Sequence, residues 1–248
     1  MIAPAVKHLF WKEFKSYFNN PLGYVFLFIF LFGIGYVTFE LGRGSFFYLR
    51  QATLTPMFRY IPWMFLLFIP AVSMKLWAEE RKSGTIEILF TMPITVGQAV
   101  VAKFLAAWAF IGLALVGTFP MIITVVYLGN PDPGPIFMGY LASFIMGGTL
   151  IAIGSFFSAL TKNQVVSFIL TIVVTLFFLM AGSPPVINFV GNFFPQYFLE
   201  LFESLNMLNH FEALERGVMS FGHIWYFIIM MCCWLFGNVI LLQENKSK

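Results

Sequence analysis

Charge is what this chain has least of. Only 14 Lys and Arg and 11 Asp and Glu are spread over 248 residues, or 10%. Soluble domains of this size carry about 25%. So few charges cannot clothe a water-soluble surface, which excludes a soluble enzyme, a disordered chain and a nucleic-acid-binding protein. Cysteine is almost absent as well. Cys232 and Cys233 are adjacent in an apolar run and read as small apolar fillers, with no disulfide framework or zinc spacing. The three histidines, His8, His210 and His223, include no pair spaced i, i+4. His210-Phe211-Glu212 has a His-x-Glu spacing but no Pro-Cys-x-x-Cys partner, so no metal site is expected. There is no Gly-Lys pair and hence no phosphate-binding P-loop. Any ATP hydrolysis belongs to another polypeptide. No Gly-x-Ser-x-Gly, His-Glu-x-x-His or paired acidic motif falls within an apolar run. That weighs against an integral-membrane enzyme, the rival class, and against a proton-coupled carrier, because both place ionisable groups at bilayer depth.

What the chain has instead is apolar length. Sixty per cent of it is hydrophobic, with 33 phenylalanines, and the mean hydropathy is +0.86. Crossing a bilayer takes about 20 apolar residues in a helix. Six runs qualify: about 22–41, 57–76, 99–128, 136–160, 165–182 and 222–242. Asn20-Pro21 supplies a cap and first turn for the first. Pro62 and Pro70 are expected to kink the second, and Pro120 to bend the third. Gly139, Ser143 and Gly147 give the fourth a small-residue face for close packing. Residues 186–199 are apolar but short and interrupted by Gly191 and Pro195, which suits a re-entrant or interfacial path. The whole chain, 1–248, reads as one all-helical membrane domain.

Its charges sort by side. With six spans and the N-terminus inside, ten cations lie within (Lys7, Lys12, Lys15, Lys75, Arg81, Lys82, Lys103, Lys162, Lys246 and Lys248). Four lie outside: Arg43, Arg50, Arg59 and Arg216. This obeys the positive-inside rule. Residues 1–20 have no Ala-x-Ala site following an apolar stretch, since Ala3-Pro4-Ala5 precedes the helix, and they read as an amphipathic interfacial helix. Val6, Leu9, Phe10, Phe14, Tyr17 and Phe18 share one face, with His8, Lys12, Lys15 and Asn19 opposite. Lys7 and Glu13 do not fit that pattern. A plain membrane anchor has the same composition.

Seven charged residues fall between Lys75 and Lys103. The stretch Glu79-Glu80-Arg81-Lys82-Ser83-Gly84-Thr85-Ile86-Glu87-Ile88-Leu89-Phe90-Thr91-Met92-Pro93 predicts a break at Ser83-Gly84 and a short helix from Thr85 to Pro93. Thr95-x-x-Gln98 is a capping-box spacing that opens the third span, and Thr161-x-x-Gln164 repeats it at a tight turn. The bland alternative is a solvated loop whose charges only fix topology. Glu200, Glu203, Glu212 and Glu215 read as the polar side of outer helices, and Glu40 with Arg43 or Arg59 as a mark of the membrane border.

The string Glu80-Arg81-x-x-Gly84-Thr85-Ile86-Glu87-x-Leu89-x-x-x-Pro93-Ile94 resembles the coupling segment of ABC-2-type permeases, the membrane subunits of ATP-binding-cassette exporters. Lys12-Glu13-Phe14 followed by Asn20-Pro21 is similar to their elbow helix, and His210-Phe211-x-x-Leu214-x-x-Gly217-Val218 to their outer segment. Within the class the chain looks most like the gliding-motility-associated group and the permease of the nitrous-oxide-reductase copper-site maturation system. The resemblance implies a six-span exporter fold in a bacterial inner membrane, both termini cytoplasmic. It implies a second permease copy or paralogue, two ABC ATPase subunits that carry the ATP and magnesium, and a periplasmic auxiliary subunit as a further candidate partner. It implies ATPase contact through Glu79, Glu80, Arg81, Gly84, Thr85, Ile86, Glu87 and Leu89, with Lys162 and Asn163 as a second contact. An outer gate would use Pro184, Pro185, Gly191 and Pro195 in the segment 183–221. No cofactor is expected on this chain itself. The implied activity is export, or mechanical driving of a periplasmic partner.

Overall fold

A computed structural model describes residues 4–40, 46–49, 51–87, 94–191, 195–217 and 221–246. Among these residues every regular element is a helix. The chain opens with α1 (Pro4–Asn19). Asn20 Oδ1 accepts the Leu22 N–H at 3.1 Å, and Pro21, whose missing N–H costs nothing in a first turn, starts α2 (Pro21–Glu40). A short α3 (Phe46–Leu49) leads to α4 (Thr55–Ser73), which runs through a turn at Met74 into α5 (Lys75–Ser83).

The third run is divided. The expected Thr95–Gln98 capping box is formed in both directions and opens α6 (Val96–Val116). The helix breaks at Gly117-Thr118, ahead of Pro120, and α7 (Phe119–Leu128) follows. Pro120 thus sits in a first turn, where no N–H is required, rather than bending a continuous helix. Asp132 Oδ1 caps α8 (Pro133–Leu160) through the Gly134 N–H at 3.0 Å. The turn after it differs from expectation. Asn163, rather than a Thr161–Gln164 box, caps α9 (Gln164–Met180), accepting the Val165 N–H at 2.9 Å. Three short helices, α10 (Pro184–Gly191), α11 (Gln196–Ser204) and α12 (Met207–Glu215), precede the last, α13 (Phe221–Lys246).

Among the described residues five helical units are long and apolar enough to cross a membrane: 21–40, 55–83, 96–128, 133–160 and 221–244. The remaining expected span, the fifth in order, is α9, which is apolar but has 17 residues, about 26 Å at 1.5 Å each. The second unit is longer than expected, because Glu79 to Ser83 continue it as helix instead of entering a loop.

The centre is α8, which touches α4, α5, α6, α9, α12 and α13. Its small residues permit that crowding. A Cβ on Gly139 would stand 2.5 Å from the Phe58 ring, one on Gly147 would be 3.2 Å from Ile111, and one on Gly154 would strike the Ser73 hydroxyl. Some buried hydroxyls bond to the preceding turn, as Thr38 donates to the Ile34 carbonyl at 2.6 Å and Ser143 to Gly139 at 2.7 Å. The outward surface is Phe28, Phe32, Val116, Ile123, Val173 and Phe236. Such a surface suits hydrocarbon or a partner chain. Cys232 and Cys233 belong to it. They are free, exposed thiols on α13.

Candidate coupling site

At one end of the bundle α1, α2, α4 and α5, with Lys103 of α6, line a cavity of about 440 Å3. Glu13, Tyr17, Asn20, Lys75, Glu79, Glu80, Ser83 and Lys103 line it among others. Its base is an ion cluster. Lys103 on α6 is 2% exposed, with its Nζ 2.7 Å from Glu80 Oε1 and 3.3 Å from Glu13 Oε1. The same ammonium stands 5.1 Å from the centroid of the Trp77 ring, in cation–π range. A buried cation is tolerable only with such partners. Glu13, the residue that broke the amphipathic pattern of α1, does so because it turns inward to Lys103. Glu80 Oε2 is buried without a hydrogen-bond partner.

The elbow helix is held by packing as well. It lies along α6, where Tyr17 stacks on Phe110 with centroids 4.6 Å apart. Burial, with the Glu13 charge nearby, pushes the Tyr17 phenol above its ordinary pKa. Gly23 has no Cβ because one would collide with the Tyr17 carbonyl.

α5 is fastened to α8 by hydroxyls. The first N–H groups of a helix lack internal partners. Ser158 Oγ accepts the N–H of Trp77 at 3.0 Å and of Ala78 at 3.1 Å, and donates to the Met74 carbonyl at 2.8 Å. It thus caps a helix that restarts inside the protein. Trp77, fully buried, donates its indole N–H to Ser155 Oγ at 3.1 Å, and Asn238 Nδ2 on α13 donates to the same oxygen at 2.6 Å. The Arg81 guanidinium donates to the Ala159 carbonyl, one turn of chain from Lys162. Gly84 then closes α5 with φ +75°, and residues 85–87 are helical again. Side chains with a Cβ are strained at that φ, so glycine fits the break.

The candidate residues therefore divide. Glu80 and Arg81 face inward and hold α5, and Ile86 is packed on the core. Glu79, Lys82, Thr85, Glu87, Lys162 and Asn163 are exposed, as is Lys12 on α1, with Phe14 half-buried. Leu89, with Ile88, Phe90 and Pro93, lies outside the described residues.

A model of ABC-2 family transporter proteins matches residues 8–241 of this sequence. The chain belongs to the ABC-2 transporter family. No curated protein matches it. Members are multi-pass membrane components, not themselves catalytic, and the family implies association with ABC ATPase subunits.

The opposite end of this ABC-2 permease holds a cluster that sequence spacing did not reveal. His210 on α12 and His223 on α13 approach to 2.7 Å between their Nδ1 atoms. His210 Nε2 lies 3.1 Å from the Ser204 carbonyl, which can only accept, so that nitrogen carries a proton and Nδ1 of the neutral ring accepts from His223. Burial lowers the His210 pKa, and His223 adds to this against the pull of Ser204. Tyr226 stacks on His210 at 4.0 Å and donates to the Leu205 carbonyl. Also on α12, Glu215 is 8% exposed, in a small cavity with Arg59, Glu212 and Arg216. Burial and the neighbouring Glu212 raise its carboxyl to about 7, against the opposing pull of Arg59 and Arg216. Arg59, first read as a border charge, is therefore a neighbour of Glu215. Among the described residues no group of three potential metal ligands exists. Pro184 and Pro185 sit in the exposed first turn of α10, Gly191 ends that helix, and Pro195 precedes α11.

Proposed function

We propose that this permease couples ATP hydrolysis on a separate ATPase subunit to export, or to mechanical work on a periplasmic partner. The observation that carries the reading is convergence. In a chain this poor in charge, the elbow helix, the extension of the second unit and the α8–α9 turn meet at one end and leave Glu79, Lys82, Thr85, Glu87, Lys162 and Asn163 exposed together with Lys12. The family match along residues 8–241 supports ATPase partners there.

In this reading that end faces the cytoplasm, α9 completes a six-span layout by tilting little, and α10–α12 cap the outer side as a gate. Two permeases pair, two ATPases bind ATP with magnesium, and their closure drives a rigid-body rearrangement of the spans. The exposed face takes the push; Glu80, Arg81 and Ser158 pass it into α6 and α8. The likeness to the gliding-motility-associated and nitrous-oxide-reductase maturation permeases supports a bacterial inner-membrane assembly with an auxiliary subunit. The test is purification from the native membrane. A soluble subunit with a Walker motif should copurify, and Glu87→Arg with Lys162→Glu should weaken its retention without lowering membrane insertion. Full retention by that double variant contradicts the assignment.

A further inference from the structure

We propose that Lys103 is a positioning residue that clamps the elbow helix to the coupling helix, so that α1, α5 and the start of α6 move as one body. A lysine 2% exposed at the head of an apolar helix is costly unless its charge is matched. It is matched by carboxylates from two elements that are 67 residues apart in sequence and approach it at Glu13 and Glu80. Both carboxylates use the same ammonium, so neither helix can shift alone without stretching a bond inside low-dielectric surroundings. The Trp77 ring closes the remaining side of the ammonium, and Trp77 is itself anchored to Ser155 on α8. The direct contact between α1 and α5 is otherwise slight. Both helices line the cavity of about 440 Å3, and no close α1–α5 packing bridges it. The clamp rests on no assumption about a partner; its role in transmission rests on the proposed function.

The experiment uses the full chain in detergent, with Cys232→Ala and Cys233→Ala, and spin labels introduced by Lys15→Cys and Lys82→Cys. Both label sites are exposed, one on each helix. The parent should give one narrow distance distribution. Glu13→Met removes the elbow arm alone and leaves the Lys103–Glu80 pair, so the fold is retained; the distribution should become at least twice as broad. Lys103→Met should broaden it further. An unchanged width in Glu13→Met overturns the clamp, whatever the ATPase does. With the ATPase bound, Glu13→Met should lower permease-stimulated kcat about ten-fold, within the range of ordinary coupling energies, and leave KM for ATP unchanged. A broadened distribution with full kcat overturns the transmitting role. If the parent binds no ATPase at all, the proposed function fails while the distance measurement still decides the clamp.

Discussion

Single side chains at the two ends of the bundle do different physical work. Ser158 satisfies two N–H groups and one carbonyl of the α4–α5 junction with one hydroxyl. Ser158→Ala leaves those buried groups unpaired and should cost about 2 kcal/mol, read as a lower unfolding midpoint in detergent. Glu215 works through its proton. Its carboxyl sits at about 7 in the folded protein against 4.5 when free, so the folded state binds the proton more tightly. Stability from this group is therefore fullest below about pH 4.5 and declines as pH rises through about 7. His210, with its lowered pKa, acts in the opposite direction, so the comparison must be between variants. Glu215→Gln should abolish its share of the decline and raise the melting temperature relative to the parent above pH 7. An unchanged difference between the two proteins across that window would show that Glu215 is not held protonated.

At the scale of elements, close approach decides what moves with what. Gly23 lets α2 begin directly beneath the Tyr17 carbonyl. Gly23→Ala should push the elbow off its seat on α6, cost about 1–3 kcal/mol and speed tryptic cleavage after Lys15. Many element boundaries were legible because local chemistry sets them. Asn20-Pro21, Thr95 with Gln98, and Gly84 do in the structure what their sequence positions predict. Boundaries set by tertiary partners were not legible. α5 continues to Ser83 because Ser155, Ser158 and Ala159 of α8 receive it. Nothing near Glu79 in the sequence announces those partners. The α6–α7 break falls at Gly117, not at Pro120, since a proline fits a first turn better than it bends a helix. The Thr161–Gln164 spacing misled because Asn163 is nearer to the orphan N–H groups.

Across the whole molecule, polar contacts form a line through an apolar bundle. Glu13 of α1, Lys103 of α6 and Glu80 of α5 meet at one point; Trp77 leads from there to Ser155 of α8 and Asn238 of α13. The membrane class and the crowded charge of residues 75–103 could be read from composition alone. Glu13 was visible as a misfit and in the elbow-like string, but not as a partner of Lys103; Lys103, Asn238 and the His210–His223 pair carried no local signal, because each gains meaning from a residue distant in sequence. Docking of an ATPase at the α1 end of this permease can be read by photo-crosslinking in the native membrane, with probes at Glu87, at Lys162 and at Tyr127, which is 88% exposed near the far end of the bundle. The probes at Glu87 and Lys162 should capture the same Walker-motif subunit, and the probe at Tyr127 should not. Capture of that subunit from Tyr127, or from none of the three, would contradict this docking.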